Sequence, residues 1–466
     1  MSKLEKMSKE IATQDVTLIK SVEIVNLFEI FNYHVEYPKS ENVLIITGPN
    51  GFGKTQILNI IFNLFNRRFS FFQTLVFDKI TVNLTQNRRI VIEKKRTDNQ
   101  ALLDLEFHEQ ETNPNQRQES ELLFLFYDRE GETESLSYPK FSQNAIKRIR
   151  RLFPSIRRYT KEKWIDTESS KLYSSDDLLA KFGDFLLGTT PNETVIKDDL
   201  TNENHGSLEV HQIKEQRLFK KETKSQGNPI AFLKYDQTIM VESIQTYAEE
   251  LKGLISEQSR KSFTRSQALD SSYPDRLISE KNKVSREEYD VRFANLTDKQ
   301  ERLTKNGLYE TERKVLSYSE DDAKALLVYL NDLEQKLSVF DDLLEKLELF
   351  TGILNNRRFT FKSIAIDRDK GFYFKTSTGK VLPLTQLSSG EQHEVVLLYE
   401  LIFKTKPGIL VLIDEPEISL HVTWQKEFLD DLLRIIEKQK FQVLIATHSP
   451  SIINDRWDLV YNLAQP

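Results

Sequence analysis

Gly48-Pro49-Asn50-Gly51-Phe52-Gly53-Lys54-Thr55 meets the phosphate-binding pattern G-x-x-x-x-G-K-[ST] at every position. Gly51 and Gly53 allow a tight turn, so the N–H groups of Asn50, Gly51, Phe52 and Gly53 can face one concavity and hold phosphate oxygens. Lys54 brings a cation to the β- and γ-phosphates of a nucleotide, and the Thr55 hydroxyl is placed to bind Mg²⁺. A second stretch, Ile409 to Ile413 followed by Asp414-Glu415-Pro416-Glu417, is an apolar run ending in carboxylates. That is a Walker B arrangement: Asp414 orients Mg²⁺ through water, and Glu415 acts on the attacking water as general base. In a third, the apolar Val443–Ala446 ends in Thr447-His448-Ser449-Pro450. Taken alone, a histidine so placed is more often structural than catalytic.

These residues need elements to hold them. Val43 to Ile46 predicts a strand before the glycine turn, and Gln56 to Phe65 an amphipathic helix after it. A first strand is expected over Leu18 to Phe31. Leu75 to Leu84, Arg89 to Lys95, Ala101 to His108 and Leu122 to Tyr127 read as an antiparallel meander packed on the nucleotide core. Further strands are expected at Phe359 to Ile366, Gly371 to Thr376, Val381 to Leu384 and Trp457 to Leu463. Between the third and fourth of these, Leu387-Ser388-Ser389-Gly390-Glu391-Gln392 enters a helix over His393 to Phe403.

The middle of the chain changes character. Arg150, Arg151, Arg157 and Arg158 crowd together with Lys147, Lys163, Tyr159 and Trp164. Such a segment reads either as a phosphate- or nucleic-acid-binding patch or as a helix pair with a solvated basic face and an aromatic core; the second is favoured. A buried strand is expected within Val210 to Leu218, and helices over Ile239 to Ser256 and Ser285 to Leu303. Leu326, Leu330, Leu333, Leu337, Phe340, Leu344 and Leu347 form a seam about three heptads long. Tyr289, Phe293, Leu296 and Leu303 offer a matching stripe, which predicts an antiparallel hairpin; ordinary bundle packing fits equally well.

With 466 residues the chain suggests two or three globular units. A net charge of −6 argues against a generally basic nucleic-acid binder. The absence of cysteine excludes disulfides, thiolate catalysis and cysteine-built zinc sites, and fits a reducing cytoplasm. No apolar run approaches the roughly 20 residues a membrane helix needs.

Taken in order, the P-loop, Leu-Ser-Ser-Gly-Glu-Gln, Asp-Glu-Pro-Glu and Thr-His-Ser-Pro resemble the ATPase head shared by ABC, SMC, Rad50 and RecF proteins. The resemblance covers roughly 18–130 and 358–463. It implies an α/β fold: a mixed sheet flanked by helices, an antiparallel β subdomain and a mainly helical insertion with a short coiled coil. The boundaries expected are 1–16 for a polar tail, 17–135 for one lobe, 136–357 for the insertion and 358–466 for the other lobe. In that family two heads sandwich two ATP molecules. By resemblance, Ser388, Ser389, Gly390 and Glu391 would contact the nucleotide of the opposite head. His448 would sense the γ-phosphate and Glu415 would be the catalytic carboxylate. Ser419-Leu420-His421 would be the D-loop, and Gln73 is the candidate for the family's nucleotide-contacting glutamine.

The segment between P-loop and signature is too short for the long coiled coil of an SMC or Rad50 protein. His211 to Leu218, Ser266 to Asp270 with Tyr273-Pro274, and Glu415 to Val422 are similar to the ATPase subunits of PARIS antiphage systems, with Septu-type and OLD-family ATPases next. That resemblance implies a slow, regulatory ATPase using ATP and Mg²⁺. It would form a homodimer through its heads, or a higher homo-oligomer, and control a separate nuclease or toxin effector in response to a phage-encoded trigger. The alternative is a RecF- or Rad50-like DNA-binding repair ATPase.

Overall fold

The computed structural model describes residues 16–38, 41–94, 122–128, 131–138, 145–160, 163–167, 171–183, 208–214, 218–223, 238–310, 317–357, 359, 361–418 and 420–465. The chain opens with an antiparallel pair, β1 (Ile19–Leu27) and β2 (Phe31–Glu36). The single strand expected over Leu18 to Phe31 is broken by a tight turn. Asn26, Phe28 and Glu29 take left-handed backbone there, with φ of 59°, 55° and 63°. After β3 (Val43–Thr47) the glycine turn leads into α1 (Lys54–Phe65), whose Ile57, Leu58, Ile60, Ile61 and Leu64 are buried. Each such fully buried aliphatic side chain contributes about 2 kcal/mol. A short α2 (Ser70–Thr74) precedes β4 (Lys79–Leu84), β5 (Arg89–Lys94), β6 (Leu122–Tyr127) and β7 (Glu132–Tyr138). Together they form an antiparallel sheet in the order β2-β1-β4-β5-β6-β7. Alternate residues of β6, namely Leu122, Phe124 and Phe126, enter its core. The strand expected over Ala101 to His108 and the tail over 1–15 lie outside the described residues.

The segment read as a helix pair is a small mixed unit. α3 (Ala145–Leu152), β8 (Ile156–Arg158), β9 (Lys163–Asp166), β10 (Lys171–Ser174) and α4 (Ser175–Phe182) enclose Ala145, Ile149, Ile156, Trp164, Tyr173 and Leu178. Short alternating runs around turns, too brief for helices, favour the hairpins. Next comes β11 (Val210–Ile213), then a two-stranded ribbon of β12 (Phe219–Thr223) and β13 (Thr238–Glu242).

A helical stalk follows: α5 (Ser243–Ser279), α6 (Arg286–Lys305), α7 (Ala323–Ser338) and α8 (Asp341–Arg357). At 37 residues, α5 is about 55 Å long. All seven seam residues from Leu326 to Leu347 are buried. The antiparallel hairpin of α6 with α7 is not what forms. Arg292 meets Glu334 of α7, and Lys299 and Arg302 meet Asp341 and Glu348 of α8, so α6 runs parallel to the α7–α8 succession. α5 is the antiparallel partner: Arg276 pairs with Asp332 and Lys336 with Asp270. The connection after α6 resets the direction. Gly307 lies against the backbone of Ile366 to Arg368, near the head, whereas the Tyr318 hydroxyl donates to the Val284 carbonyl at the far end.

The chain returns through β14 (Lys362–Asp367), β15 (Gly371–Thr376) and β16 (Val381–Leu382), an antiparallel sheet at the foot of the stalk. Gly371 has φ +72°, and a Cβ there would sit 1.9 Å from the Ala248 carbonyl oxygen; only glycine lets β15 approach α5 so closely. Then come α9 (Ser389–Phe403), β17 (Leu410–Asp414), α10 (Val422–Gln439), β18 (Gln442–Ala446), α11 (Pro450–Ile453) and β19 (Val460–Asn462). The central sheet is parallel throughout, in the order β11-β17-β18-β3-β19. Helices cover both faces, which is why its strands read as unbroken apolar runs. One point departs from the reading of 136–357 as a single insertion: β11, from inside that range, is an edge strand of the central sheet.

Candidate active site

Parallel pairing puts the carboxyl ends of three neighbouring strands side by side. Asp414 aligns with Ala446, and Ala446 with Ile46. The residues just beyond those ends therefore meet: the glycine turn after β3, Asp414-Glu415 ending β17, and Thr447-His448 after β18. Such a strand-end crevice is where open α/β sheets bind ligands.

Gly53 caps α1 with φ +85°, and an added Cβ would crowd Leu27 Cδ2 at 3.3 Å. The turn is braced from β2, where the Tyr33 hydroxyl donates to the Phe52 carbonyl at 2.7 Å. Burial, then the nearby Tyr461, pushes the Tyr33 phenol up to about 12, so it stays a donor. Lys54 is buried, and its Nζ donates to the Gly48 carbonyl at 3.0 Å. It also lies within reach of both ring nitrogens of His448. Burial lowers the Lys54 pKa, while Glu415, Asp414 and Glu417 oppose the shift. His448 is lowered by burial and then by the Lys54 charge, so a neutral imidazole accepts from the ammonium.

Thr55 Oγ1 donates to Asp414 Oδ1 at 3.1 Å. This hydroxyl–carboxylate pair is a hard-oxygen donor set, which suits Mg²⁺ completed by water and phosphate oxygens. No cluster of three or more His, Cys, Asp or Glu able to hold a metal occurs among the described residues. Glu415 follows Asp414 with left-handed backbone, φ 47°, and its Oε1 is 3.5 Å from His448 Nε2. Its carboxyl is pushed up to about 8. Burial is the largest cause, followed by the hydrogen bond and charge of Glu417; Lys54 works against it.

Glu417 was missed in the sequence as a site residue. Its Oε1 accepts from Thr447 Oγ1 at 2.6 Å, from the His448 N–H at 2.8 Å and from the Ser449 N–H at 3.1 Å. One carboxylate oxygen thus holds the loop that carries the histidine. The available signal was a further acid two residues beyond Glu415. Phe28 was missed as well. It is 39% exposed, at the β1–β2 turn, and its ring would lie 3.6 Å from a Cβ at Gly53. That is an open aromatic face beside the phosphate turn.

The other expected site residues lie elsewhere. Ser388 caps α9 through a reciprocal capping box with Glu391. Glu391 also binds Lys362 at 2.9 Å. Burial raises the Glu391 pKa, but Lys362 and Ser388 together hold it below the usual carboxylate value. Ser388 and Ser389 are exposed at the helix tip, next to Gly390. Within one chain none of the four bonds Lys54, Thr55 or His448. Leu420 is buried, His421 caps α10 by accepting from the Thr423 N–H, and Ser419 is outside the described residues. Gln73 sits on α2, where its carbonyl accepts from Lys94 Nζ at 2.8 Å; it does not bond Lys54, Thr55 or His448. Arg150, Arg151, Arg157 and Arg158 are exposed on the small unit. Arg150 and Arg158 lie over the Trp164 ring at 5.5 and 5.7 Å, and that ring is part of the unit's own core.

A family model described as an AAA ATPase domain matches residues 18–453. No curated protein gives a match. Among solved structures the chain is similar to an Smc head domain with an extended coiled coil bound to the C-terminal domain of ScpA, from Pyrococcus furiosus. Identity is 14%, the TM-score 0.33, and coverage 94% of this chain and 91% of that one. It is also similar to an SmcHead bound to the C-winged helix domain of ScpA, at 10% identity and TM-score 0.36, covering 93% and 91%. These are distant likenesses, and the fold rests on the strand orders above. No helix among the described residues is long and apolar enough to cross a membrane.

Proposed function

The chain belongs to the AAA ATPase domain family, and from that premise we propose that it hydrolyses ATP at the crevice formed by β3, β17 and β18. The meeting of Lys54, Thr55, Asp414, Glu415 and His448 at adjacent strand ends carries this reading. In the proposed mechanism the N–H groups of the glycine turn bind the phosphates, and Phe28 offers its face to the base. Lys54 leaves its backbone carbonyls to neutralise the terminal phosphates. Thr55 and Asp414 would hold Mg²⁺, which when bound would supply neutralising charge to the phosphate oxygens. Glu415 takes a proton from the attacking water. Because burial and Glu417 favour its protonated form in the nucleotide-free protein, it becomes a competent base only when the site's charges rearrange. His448, fixed by Glu417 and touching both Lys54 and Glu415, reads the terminal phosphate.

The finer reading is a regulatory ATPase that pairs head to head, with Ser388, Ser389, Gly390 and Glu391 of one copy facing the nucleotide of the other, the D-loop at the interface and Gln73 near the nucleotide. On this reading it controls a separate nuclease or toxin effector in antiphage defence. Support comes from the motif order, from the exposed signature tip and from a stalk only about 55 Å long, unlike an extended SMC arm. The engagement of Arg150 and Arg158 with Trp164 lends the DNA-repair alternative no extra weight.

The test is affinity purification of tagged Glu415→Gln protein, with and without nuclease treatment. A stoichiometric partner that survives treatment and cleaves nucleic acid supports effector control. Loss of all partners on nuclease treatment, with repair proteins among them, moves the function to the DNA-repair class. Wild-type ATP turnover in the Glu415→Gln protein overturns the assignment of the base.

A further inference from the structure

At the opposite end of the antiparallel sheet from the glycine turn lies a hollow of about 520 Å³. Lys20 of β1, Asn83 of β4, Asn87 and Arg88 of the following turn, Arg89 of β5 and Tyr127 of β6 line it. Lys20 and Leu27 mark the two ends of β1, and Leu27 touches Gly53. The seven-residue step between them is about 23 Å, which separates the hollow from the P-loop.

Among the described residues, some cations elsewhere in the head are ion-paired and others, such as Lys375 over the Tyr373 ring, are not; what sets these three apart is their convergence on one hollow. Lys79 is paired with Glu93, Lys362 with Glu391, Lys404 with Glu250 and Lys406 with Glu209. Among the described residues, no carboxylate pairs with Lys20, Arg88 or Arg89. Arg88 donates from Nη2 to Thr17 Oγ1, which anchors it, while its buried Nε has no hydrogen-bond partner. Arg89 lies 4.3 Å over the Tyr127 ring, a contact that consumes none of its N–H donors. Among the described residues of the rim, Asp128 is the one carboxylate against three cations. Lys20 and Arg89 are exposed, so the three cations present N–H donors that converge on one open concavity, a geometry suited to an anion.

We propose that this hollow binds a small phosphate-bearing anion, at a site separate from the ATP site. Guanidinium groups match phosphate oxygens in pairs, Lys20 adds a mobile charge, and the Asn87 amide adds donors. The volume is that of a small-molecule pocket and exceeds the need of a single phosphate, so the ligand carries several phosphates or a nucleoside. The phosphates come from a free nucleotide or from a nucleic-acid strand.

The experiment uses the full chain carrying Lys54→Ala, which weakens the P-loop, titrated calorimetrically with sodium tripolyphosphate. The expected result is one equivalent bound, with affinity falling as salt rises. Adding Arg88→Gln and Arg89→Gln is expected to weaken binding about tenfold or more. Lys20→Gln, on the neighbouring strand β1 and not in the β4–β5 turn itself, is expected to weaken it several-fold. Both sets of variants, made with Lys54 intact, keep ATP binding and the wild-type melting temperature. No binding in the Lys54→Ala protein, or equal affinity after the arginine changes, overturns the proposal. Displacement by ATP at lower concentration than by a single-stranded dodecanucleotide assigns the site to a free nucleotide. The reverse order assigns it to strand phosphates, and either order upholds an anion site.

Discussion

In the stalk, Arg276, Arg292 and Arg302 each meet a carboxylate on a neighbouring helix, so ionic matching accompanies the buried apolar seam. At the end of the central sheet, Lys54 instead meets backbone carbonyls and an imidazole, while Asp414, Glu415 and Glu417 crowd near it. Hydrogen bonding to the partner carboxylate holds the stalk arginines above their ordinary pKa. At the site, burial lowers Lys54 and His448 and raises Glu415. The backbone differs too: Glu415 takes left-handed φ, which costs about 1 kcal/mol or more. Apart from Pro274 inside α5, the stalk is locally consistent, whereas the site departs from consistency where chemistry requires charge to move.

The sharpest way to break this contrast is to remove the central charge. Lys54→Ala is expected to abolish detectable ATP turnover and to weaken nucleotide binding by about a hundredfold or more, measured with a fluorescent nucleotide. Binding retained in a protein that also carries Arg88→Gln and Arg89→Gln would mean that the glycine turn alone holds the phosphates. Glu415→Gln is expected to cut kcat by about 10²- to 10⁴-fold while ATP still binds. The same residue gives the contrast a pH signature. A folded pKa of about 8, against an unfolded value near 4.3, favours the protonated carboxyl. Its stabilising contribution is complete below the unfolded value and is lost as pH rises through about 8. The melting temperature of the nucleotide-free, Mg²⁺-free protein should therefore fall between about pH 5 and pH 9, and Glu415→Gln should flatten that fall. An unchanged slope in the variant would show that another group carries the dependence.

Glu417 sharpens the contrast at the next level down, because it acts only through its neighbours. Glu417→Ala leaves the Thr447 hydroxyl and the His448 N–H without their acceptor, at about 1–3 kcal/mol for each one left unsatisfied, while the Ser449 N–H keeps Thr447 Oγ1 at 2.9 Å. We expect kcat to fall about ten- to a hundredfold with a smaller change in KM. Glu417→Gln keeps an acceptor oxygen and should recover much of kcat. Equal losses in the two variants would show that charge, not loop positioning, is what Glu417 supplies.

These expectations depend on features of unequal visibility in the chain. The P-loop and the strand-end carboxylates were legible because their chemistry forces residue type and spacing within a few positions, whereas His448 was named only through the resemblance that the order of the motifs carries. The central sheet was legible because strands buried on both faces leave unbroken apolar runs, as in Val43–Ile46 and Val443–Ala446. What escaped depends on contacts between distant segments. β11 falls within the buried strand expected over Val210 to Leu218, but its place at the edge of the central sheet rests on its pairing with β17, far along the chain. Helix direction in the stalk was misread because a heptad seam gives a face and not a sense. The connection after α6 reverses the chain without any periodicity to announce it. Trp164 was ambiguous because an aromatic among arginines suits a nucleic-acid face and a small core equally; its burial decides for the core.

Stability measurements extend the comparison into the stalk. Asp332 is 6% exposed and takes two guanidinium bonds from Arg276, one of them at 2.9 Å. Arg276 also donates to the Leu269 carbonyl at 2.6 Å, close to Pro274 inside α5. Asp332→Ala leaves that cation without its charge partner and is expected to cost about 3 kcal/mol, read by denaturant unfolding, with ATP affinity unchanged. A change in ATP affinity would mean that the stalk and the site are energetically coupled.

The smallest effect is expected at Arg302, whose side chain is 47% exposed and whose partner Glu348 is 34% exposed. Solvent screens such a pair and the long side chains lose freedom in forming it, so Arg302→Ala should cost less than about 1 kcal/mol despite good bidentate geometry. Raising the salt concentration should shrink even that, because the charges lie within reach of mobile ions. The two stalk variants then form an internal scale: similar chemistry on neighbouring helix pairs, separated by burial. A loss at Arg302 as large as that at Asp332, and insensitive to salt, would mean that this face of α6 and α8 is shielded from solvent. A second protein surface would have to cover it, and the stalk would no longer be the self-sufficient half of the contrast with the active site.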